Sequence, residues 1–336
     1  MGLRRIITAI LLALPVVGCS GPESILRPQG PAAAKLAQMG WVVFVVFSLA
    51  TFILVVVLIW GAVRRKGSLR EHAAWNEGGG QRWALIFGFA VPTTILCAMF
   101  VYTLQGMTEF PIHGHHADTP AIQVIGHQWW WEVHYLTGPT SKQFATANEI
   151  HIPVGVPLTL ELKTDDVIHA FWVPVLHGKV QLMPSWTNYI RIQADHAGSF
   201  PGECAVYCGE QHAHMQLLVV AQAPDEYRAW YEGQVKEAVE PQGDEATHGR
   251  KVFEGTACAL CHSIRGTQAL GKVAPDLTHL ASRTMIAASS YANNTANLEA
   301  WATHAQSLKP GALMPDLTEY QGSDLRALVT YLQQLE

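Results

Sequence analysis

The stretch Gly202-Glu203-Cys204-Ala205-Val206-Tyr207-Cys208-Gly209-Glu210-Gln211-His212-Ala213-His214-Met215 decides how the rest of this chain is interpreted. It concentrates two thiols, imidazoles and a thioether in one short segment. Thiolate and thioether sulfurs favour copper(I), imidazole binds copper in either oxidation state, and a weak Met ligand beside Cys and His is typical of electron-transfer copper. Cys204 and Cys208 together can bridge two metal ions, whereas a single Cys would indicate a mononuclear site. Cys204, Cys208 and His212 also fit part of a zinc site, so this stretch alone leaves the metal open.

Two other segments carry residues of the same chemical kind. The segment Asp165-Asp166-Val167-Ile168-His169-Ala170-Phe171-Trp172-Val173-Pro174 places His169 in an apolar, strand-like run, where it is either a core histidine or a distant metal ligand. The segment Gly126-His127-Gln128-Trp129-Trp130-Trp131 holds three contiguous tryptophans. A core or a membrane-interface belt explains one or two of them. Because neighbouring strand residues face opposite ways, at least one indole should lie near the surface.

Taken together, the three motifs resemble subunit two of the haem-copper cytochrome c oxidases. The resemblance implies a cupredoxin-like β-sandwich that holds a binuclear copper centre. It implies that Cys204 and Cys208 bridge the coppers, that His169 and His212 are terminal ligands, that Met215 and the backbone carbonyl of Val206 are weak axial ligands, and that electrons enter at Trp129. The family usually has Glu where this chain has Val206. The carbonyl contact with copper survives that change, but the side-chain contact with an interface magnesium does not, so no magnesium is predicted.

Length and composition bound the remaining possibilities. The 336 residues are 49% hydrophobic with a formal net charge of −5, which indicates two or three domains and excludes a disordered chain or a nucleic-acid binder. The six cysteines do not read as a disulfide framework.

The first 18 residues have the pattern of a secretory signal, with two arginines followed by an apolar run. The ending Val16-Val17-Gly18-Cys19 resembles a bacterial lipobox, which makes Cys19 the lipidated N-terminus of the mature chain. Simple cleavage and an uncleaved anchor are the alternatives. Residues 19–106 are then expected to form a lipid-anchored N-terminus and a transmembrane hairpin.

The hairpin is predicted from two apolar runs, at about 40–63 and 83–104, each near the ~20 residues that cross a bilayer as a helix. The short basic loop between them belongs in the cytoplasm by the positive-inside rule. The following domains are therefore expected on the periplasmic face of a bacterial cytoplasmic membrane. Neither run contains a His, so the oxygen site must belong to a partner subunit.

From Ala121 onward the sequence acquires a period of two. Alternation at Ile122–Val124, Leu158–Leu162 and Ile190–Ile192, with a β-branched run at Gln216–Ala221, predicts short strands. We expect residues 107–223 to form the cupredoxin-like β-sandwich. A helix should follow from Pro224 to about Val239, with residues 224–243 as helix and linker.

Cys258-Ala259-Leu260-Cys261-His262 matches the attachment signature of c-type haem. Cys258 and Cys261 would attach one haem covalently, with His262 as an axial ligand; a redox Cys pair or half a zinc site is the alternative. Met314, in the loop Lys309–Pro315, is predicted as the sixth ligand. Met285, His279 and His304 are weaker candidates. Residues 244–336 are expected to form an all-α class I cytochrome c domain that ends in a helix after Ser323.

With this module included, the chain resembles an oxidase subunit two with a cytochrome c fused at its C-terminus. The resemblance implies that electrons pass from a cytochrome c or another periplasmic donor to haem c, then to the binuclear copper, and on to haem in subunit 1. Subunit 3 is a further expected partner. The alternatives are a component of a nitrous-oxide or nitric-oxide reductase, and a copper-delivery or storage lipoprotein without covalent haem.

Overall fold

A computed structural model describes residues 21–64, 77–108 and 119–336 of the chain. The predicted signal segment and Cys19 lie outside the described residues, as does most of the basic loop between the two apolar runs. The chain divides into two compact units, one formed by residues 35–110 and the other by residues 1–34 and 111–336.

The smaller unit is helical. Its elements are α1 (Pro31–Arg64, which begins in the larger unit), α2 (Glu77–Leu85), a π-helical segment (Ile86–Ala90) and α3 (Val91–Thr108). Pro31–Arg64 and Gln81–Thr108 are long and apolar enough to cross a membrane, and each contains one of the predicted spans. Hydroxyl groups within these helices donate to the carbonyl four residues earlier, for example Thr51 to Phe47 at 2.8 Å, which satisfies them without water.

The larger unit begins with a β-sandwich, here called the sandwich module (residues 119–223). Its ten strands are β1 (Ile122–His127), β2 (Trp130–Tyr135), β3 (Phe144–Ala147), β4 (Glu149–Pro153), β5 (Leu158–Thr164), β6 (His169–Trp172), β7 (Val180–Leu182), β8 (Asn188–Ile192), β9 (Gly198–Cys204) and β10 (Gln216–Gln222). They form two sheets, in the orders β3-β2-β1-β5-β8 and β4-β10-β9-β6-β7. The pairs β1–β5 and β4–β10 are parallel and the others are antiparallel.

Alternating side chains of the two sheets build the core between them. Ile122 and Val124 on β1 face inward, as do Leu160 and Leu162 on the neighbouring β5. Each strand predicted from the sequence is present, because a period of two buries one face of a sheet. Trp131 is fully buried, whereas its two neighbours in the tryptophan run are partly exposed, as the alternation requires.

Helix α4 (Pro224–Gln234) leaves the sandwich and ends earlier than the sequence predicts. The prediction of a helix to about Val239 is wrong by five residues, since the observed end is Gln234. The reason is a tertiary contact, because the guanidinium of Arg265 donates to the carbonyl oxygens of Gln234 (2.5 Å) and Val235 (3.3 Å). These oxygens at the end of the helix are thereby satisfied from the C-terminal part of the chain.

The remainder is a helical C-terminal module (residues 244–336). Its elements are α5 (Asp244–Glu254), α6 (Cys258–Cys261), a two-stranded hairpin of β11 (Met285–Ile286) and β12 (Tyr291–Ala292), α7 (Thr295–Thr303), α8 (Ala305–Leu308) and α9 (Ser323–Leu332). The predicted terminal helix, α9, packs on α5. Gly249 permits the close crossing, since a Cβ there would lie 1.9 Å from the carbonyl oxygen of Ala327. The short hairpin is an addition to the predicted all-α module.

Candidate copper and haem sites

The two cysteines of the deciding stretch meet at one end of the sandwich. Cys204 ends strand β9 and Cys208 lies in the loop that follows, with 3.8 Å between the two sulfurs. Each thiol is buried and has its own imidazole. The Nδ1 atom of His169, from β6 in the same sheet, is 3.8 Å from Cys204 Sγ, and the Nδ1 atom of His212 is 3.7 Å from Cys208 Sγ.

A further donor lies beside each sulfur. The carbonyl oxygen of Val206 is 3.2 Å from Cys204 Sγ, and Met215 Sδ is 3.9 Å from Cys208 Sγ. All six residues predicted as copper ligands are therefore brought together, with soft sulfur in the middle and an imidazole at each end. This donor set fits a thiolate-bridged pair of copper ions better than zinc, because thioether and backbone carbonyl are not ligands that zinc prefers.

A carboxylate behind His169 fixes the orientation of its ring. His169 Nε2 donates to Asp166 Oδ1 at 2.8 Å, which leaves the Nδ1 lone pair directed at the cysteines. Burial raises the pKa of Asp166. Hydrogen bonds from His169 and from the backbone N–H groups of Val167 and Gln128 lower it by a larger amount, so the pKa lies below its usual value. Asp166 is therefore the carboxylate partner of the imidazole that the sequence predicts as a copper ligand.

The two thiols share a proton in the absence of metal. The hydrogen bond from Cys208 lowers the pKa of Cys204 to about 3, and the same bond together with burial raises the pKa of Cys208. The S–H···S contact therefore favours one thiolate in the pair, and binding of a metal by both sulfurs would require loss of the remaining proton.

The indole of Trp129 lies against the loop that carries Cys208. Its Nε1 donates to the Cys208 carbonyl at 3.1 Å, and the side chain of Gln128 donates to the same oxygen at 2.7 Å. Gly209, with φ of +122°, passes directly beneath the ring; a Cβ there would lie 2.8 Å from Trp129 Cζ2. The sequence analysis does not single out Gly209, although glycine is a common turn residue.

The C-terminal module contains a cavity with mostly apolar walls. Cys258, Cys261, His262 and Met314 line it together. His262 Nδ1 donates to the carbonyl of Pro275 at 2.7 Å, so its Nε2 lone pair is available to a metal. Burial lowers the pKa of His262 and keeps the imidazole neutral, the form that binds iron. Burial raises the pKa of the Cys258 thiol.

The lining of this cavity also bears on the other residues predicted as possible sixth ligands of the haem. Met285 also lines it, so the structure leaves Met285 and Met314 as thioether candidates. His279 has both ring nitrogens against backbone carbonyls, those of Glu336 and Lys236, and His304 is held by Thr303. Arg283 lines the cavity as well, and its buried Nε has no partner. An apolar cavity with two thiols, a neutral imidazole, thioethers and an orphaned cationic donor fits a haem.

The cavity of the C-terminal module opens towards the sandwich at Trp129. Gln128, Trp129, Trp130 and Asn148 complete its lining. Trp129 therefore belongs to both candidate sites, since its indole nitrogen donates to the Cys208 carbonyl and the residue lines the haem cavity.

Comparison with protein families agrees with this arrangement. The model of the cytochrome c oxidase subunit II periplasmic domain matches residues 136–222, and the cytochrome c model matches residues 246–336. Cytochrome c oxidase subunit 2 of Alkalihalophilus pseudofirmus is 34% identical over 99% of this chain and 97% of its own length. The chain belongs to the cytochrome c oxidase subunit 2 family.

Other relatives of this subunit 2 are more distant. Cytochrome c oxidase subunit 2 of Bacillus subtilis is 26% identical over 99% of the chain and 98% of its own length. Quinol oxidase subunit 2 of Bacillus cereus is 28% identical over 75% of the chain and 86% of its own length. Among solved structures, the periplasmic domain of subunit II of cytochrome oxidase of Bradyrhizobium japonicum is 25% identical, with a TM-score of 0.31, and covers 38% of this chain and 94% of its own.

Membership of the cytochrome c oxidase subunit 2 family fixes the broad role. The chain is a component of a haem-copper oxidase complex with an electron-entry role, and a cytochrome c is the implied donor. Its sandwich module has the cupredoxin-like fold and implies copper, and its C-terminal module implies haem. The two apolar helices fit a two-span membrane protein.

Proposed function

We propose that this subunit passes electrons from its own covalent haem c to a binuclear copper centre across Trp129, and from there to the oxygen-reducing subunit 1. One observation carries the proposal. The Trp129 indole donates to the carbonyl of Cys208, and its ring also approaches the loop of Met314, where a Cβ at Gly311 would lie 3.6 Å from Trp129 Cη2.

Bound copper and haem supply one-electron redox chemistry. The chain's residues hold them and exclude water. Cys204 and Cys208 would bridge the coppers, His169 and His212 would be terminal ligands, and Met215 and the Val206 carbonyl would be axial donors. Cys258 and Cys261 would attach the haem, with His262 and Met314 as axial ligands. The burial of both cysteine sulfurs at the copper site, and the apolar wall of the haem cavity, limit solvent reorganisation when an electron moves.

The position of Trp129 supports the predicted order of transfer, haem c before copper. Because the C-terminal module lies over this indole, a cytochrome c or another periplasmic donor would reduce the haem first. Trp129 would then receive electrons from within the chain. A tethered cytochrome also replaces a bimolecular encounter by an intramolecular one at high effective concentration. We place the protein in the bacterial cytoplasmic membrane with both modules on the periplasmic face, anchored by lipid at Cys19, and next to subunits 1 and 3.

The two alternative functions differ in cofactor content. A copper-delivery or storage lipoprotein has no use for the cavity that gathers Cys258, Cys261 and His262. A nitrous-oxide or nitric-oxide reductase component is disfavoured by the full-length match to oxidase subunits. The experiment is to purify the full chain from a membrane extract and to measure copper, covalent haem and the paramagnetic signal of copper.

The proposal predicts two coppers and one covalent haem per chain, with a seven-line signal from an electron shared by the two coppers. A single copper with a blue chromophore, or zinc in its place, would contradict the bridging roles of Cys204 and Cys208. Absence of haem after denaturing electrophoresis would contradict the roles of Cys258 and Cys261.

A further inference from the structure

A buried lysine joins the haem loop to the sandwich module. Lys309 begins the loop that carries Met314, and only 3% of its surface is exposed. Its Nζ donates to the backbone oxygen of Trp129 at 2.8 Å and to that of Ala287 at 3.3 Å. The side chain also lines the haem cavity. Lys309 therefore lines the haem cavity and also contacts the backbone of Trp129.

No carboxylate forms an ion pair with Lys309 in the described part of the chain. Its two hydrogen-bond acceptors are neutral carbonyls. Burial lowers the pKa of Lys309 to about 8, and the nearby Cys208 sulfur partly offsets that shift. Burying a charge without an anion is costly. We therefore expect the buried ammonium group of Lys309 to have a role other than packing.

Docking of the C-terminal module on the sandwich module does not explain the buried charge. Glu149 of β4 accepts from the backbone N–H of Thr284 at 3.1 Å and from its hydroxyl at 2.9 Å. Gln211 Nε2 donates to the Pro310 carbonyl at 2.9 Å, directly beside Lys309. These bonds hold the C-terminal module on the sandwich with neutral donors, so a positive charge at Lys309 is not required for docking.

Two hydrogen bonds connect Lys309 to the predicted copper site through Trp129. Its Nζ fixes the Trp129 backbone, and the Trp129 indole donates to the carbonyl of Cys208, whose sulfur is a predicted copper bridge. The connection from the haem loop to the copper loop is thus continuous through one residue. A small shift of Trp129 would widen the gap between the two centres.

We propose that Lys309 is a positioning residue that fixes Trp129 between the two redox centres, and that its buried positive charge raises the reduction potential of both. The inference rests on the proposed function, since it assumes haem in the cavity and copper at the cysteines. In the step concerned, one electron leaves reduced haem iron and is taken up by the oxidised copper pair, and no proton moves. Lys309 is neither oxidised nor reduced. Its charge favours the reduced form of each centre because Coulomb interactions are strong where water is excluded.

The test separates the charge from the hydrogen bond, in the full-length chain with both cofactors. Lys309→Gln keeps an N–H donor and removes the charge, Lys309→Met removes both, and Lys309→Arg keeps both. Lys251→Met is the control, because it removes the same charged amine from an exposed position on α5. The readouts are the reduction potentials of haem and copper by spectroelectrochemistry, and the rate of haem-to-copper electron transfer after flash reduction.

We expect Lys309→Gln and Lys309→Met to lower both potentials, and Lys309→Met in addition to slow the transfer by about tenfold or more. Lys309→Arg and Lys251→Met should keep wild-type potentials. Wild-type potentials in Lys309→Gln would overturn the role of the charge, and a wild-type rate in Lys309→Met would overturn the positioning role. If the neutral variants do not assemble, a shifted potential in Lys309→Arg overturns the proposal. Missing haem or copper in the wild-type chain would instead reject the proposed function.

Discussion

Gly209 allows the copper loop to pass under the Trp129 indole, and its φ of +122° is a conformation that residues with a side chain rarely adopt. We predict that Gly209→Ala destabilises the chain by about 1–3 kcal/mol and displaces the indole, because a Cβ would meet Trp129 and strain the backbone. Chemical denaturation of the full chain gives the change in unfolding free energy. Gly233→Ala is the control, since that helix α4 position has open space and should be unchanged or stabilised. Equal effects of the two substitutions would contradict this account.

Cys208 carries the second predicted bridge. We predict that Cys208→Ser lowers the copper content from two ions to one per chain and removes the shared-electron signal, because a hydroxyl does not replace a thiolate as a bridge for copper. Metal analysis and paramagnetic resonance measure both effects. Cys97→Ser, in the apolar helix α3, should leave both unchanged. Retention of two coppers by Cys208→Ser would show that the sulfur is not a bridge.

For individual residues, the sequence predicts the metal ligands better than it predicts the residues that orient those ligands. Cys204, Cys208, His212 and Met215 lie in one short stretch, so their convergence needs little of the tertiary fold. The support of His169 by Asp166 depends on a turn whose side-chain direction the sequence does not specify. Lys309 is harder still, because the contact with Trp129 joins positions 180 residues apart and the chain gives no local sign of it.

Between elements, strand β4 and the β11–β12 hairpin meet through a buried carboxylate. Burial raises the pKa of Glu149. Hydrogen bonds from His151 and from the Thr284 backbone and hydroxyl lower it by a larger amount, so the pKa lies below 4.5. A carboxyl whose pKa falls on folding contributes stability above its unfolded pKa, and loses it as pH falls through the folded pKa. This contact therefore holds the modules together at neutral pH and weakens in acid.

We predict that Glu149→Gln destabilises the full chain by about 1–3 kcal/mol at neutral pH, as expected for hydrogen bonds to a charged group. The difference from wild type should shrink as the pH falls below about 4.5, because the carboxyl of the unfolded chain is protonated first, and it should vanish once the pH is below the lowered pKa of the folded carboxyl. Thermal unfolding followed by circular dichroism across this range checks the trend. Glu232→Gln, on the exposed face of α4, is the matched control. A difference that stays constant down to low pH would contradict the linkage.

Element prediction from the sequence succeeds where one face of an element is buried. The alternation of Ile122–Val124 fixes β1, and the apolar spacing near the C-terminus fixes α9. The end of α4 could not be read locally, because Arg265 satisfies its last carbonyls from outside the helix. The β11–β12 hairpin was missed for a similar reason. Three residues of its turn, Ala287, Ala288 and Ser289, adopt positive φ without being glycine, so the turn carries no usual signal.

In the whole molecule, the sandwich module and the C-terminal module belong to one compact unit. The sequence places a boundary near residue 243, and the turn residues of Pro241-Gln242-Gly243-Asp244 mark it. How the two modules dock could not be predicted, since the contacts at Glu149, Gln211 and Lys309 each involve side chains that read as ordinary polar residues. The docked arrangement brings both modules into contact with Trp129, which is the contact on which the proposed electron relay depends.

The most direct test of this relay is to reduce the haem of the fully oxidised full-length chain with a flash from a photoexcited ruthenium complex, and to follow both centres optically. We predict that the haem is reduced first, and that it is then reoxidised at the rate at which copper is reduced. Trp129→Phe should slow the second phase and leave the first unchanged. Reduction of copper at the wild-type rate in a Cys258→Ala, Cys261→Ala chain without haem would contradict the account.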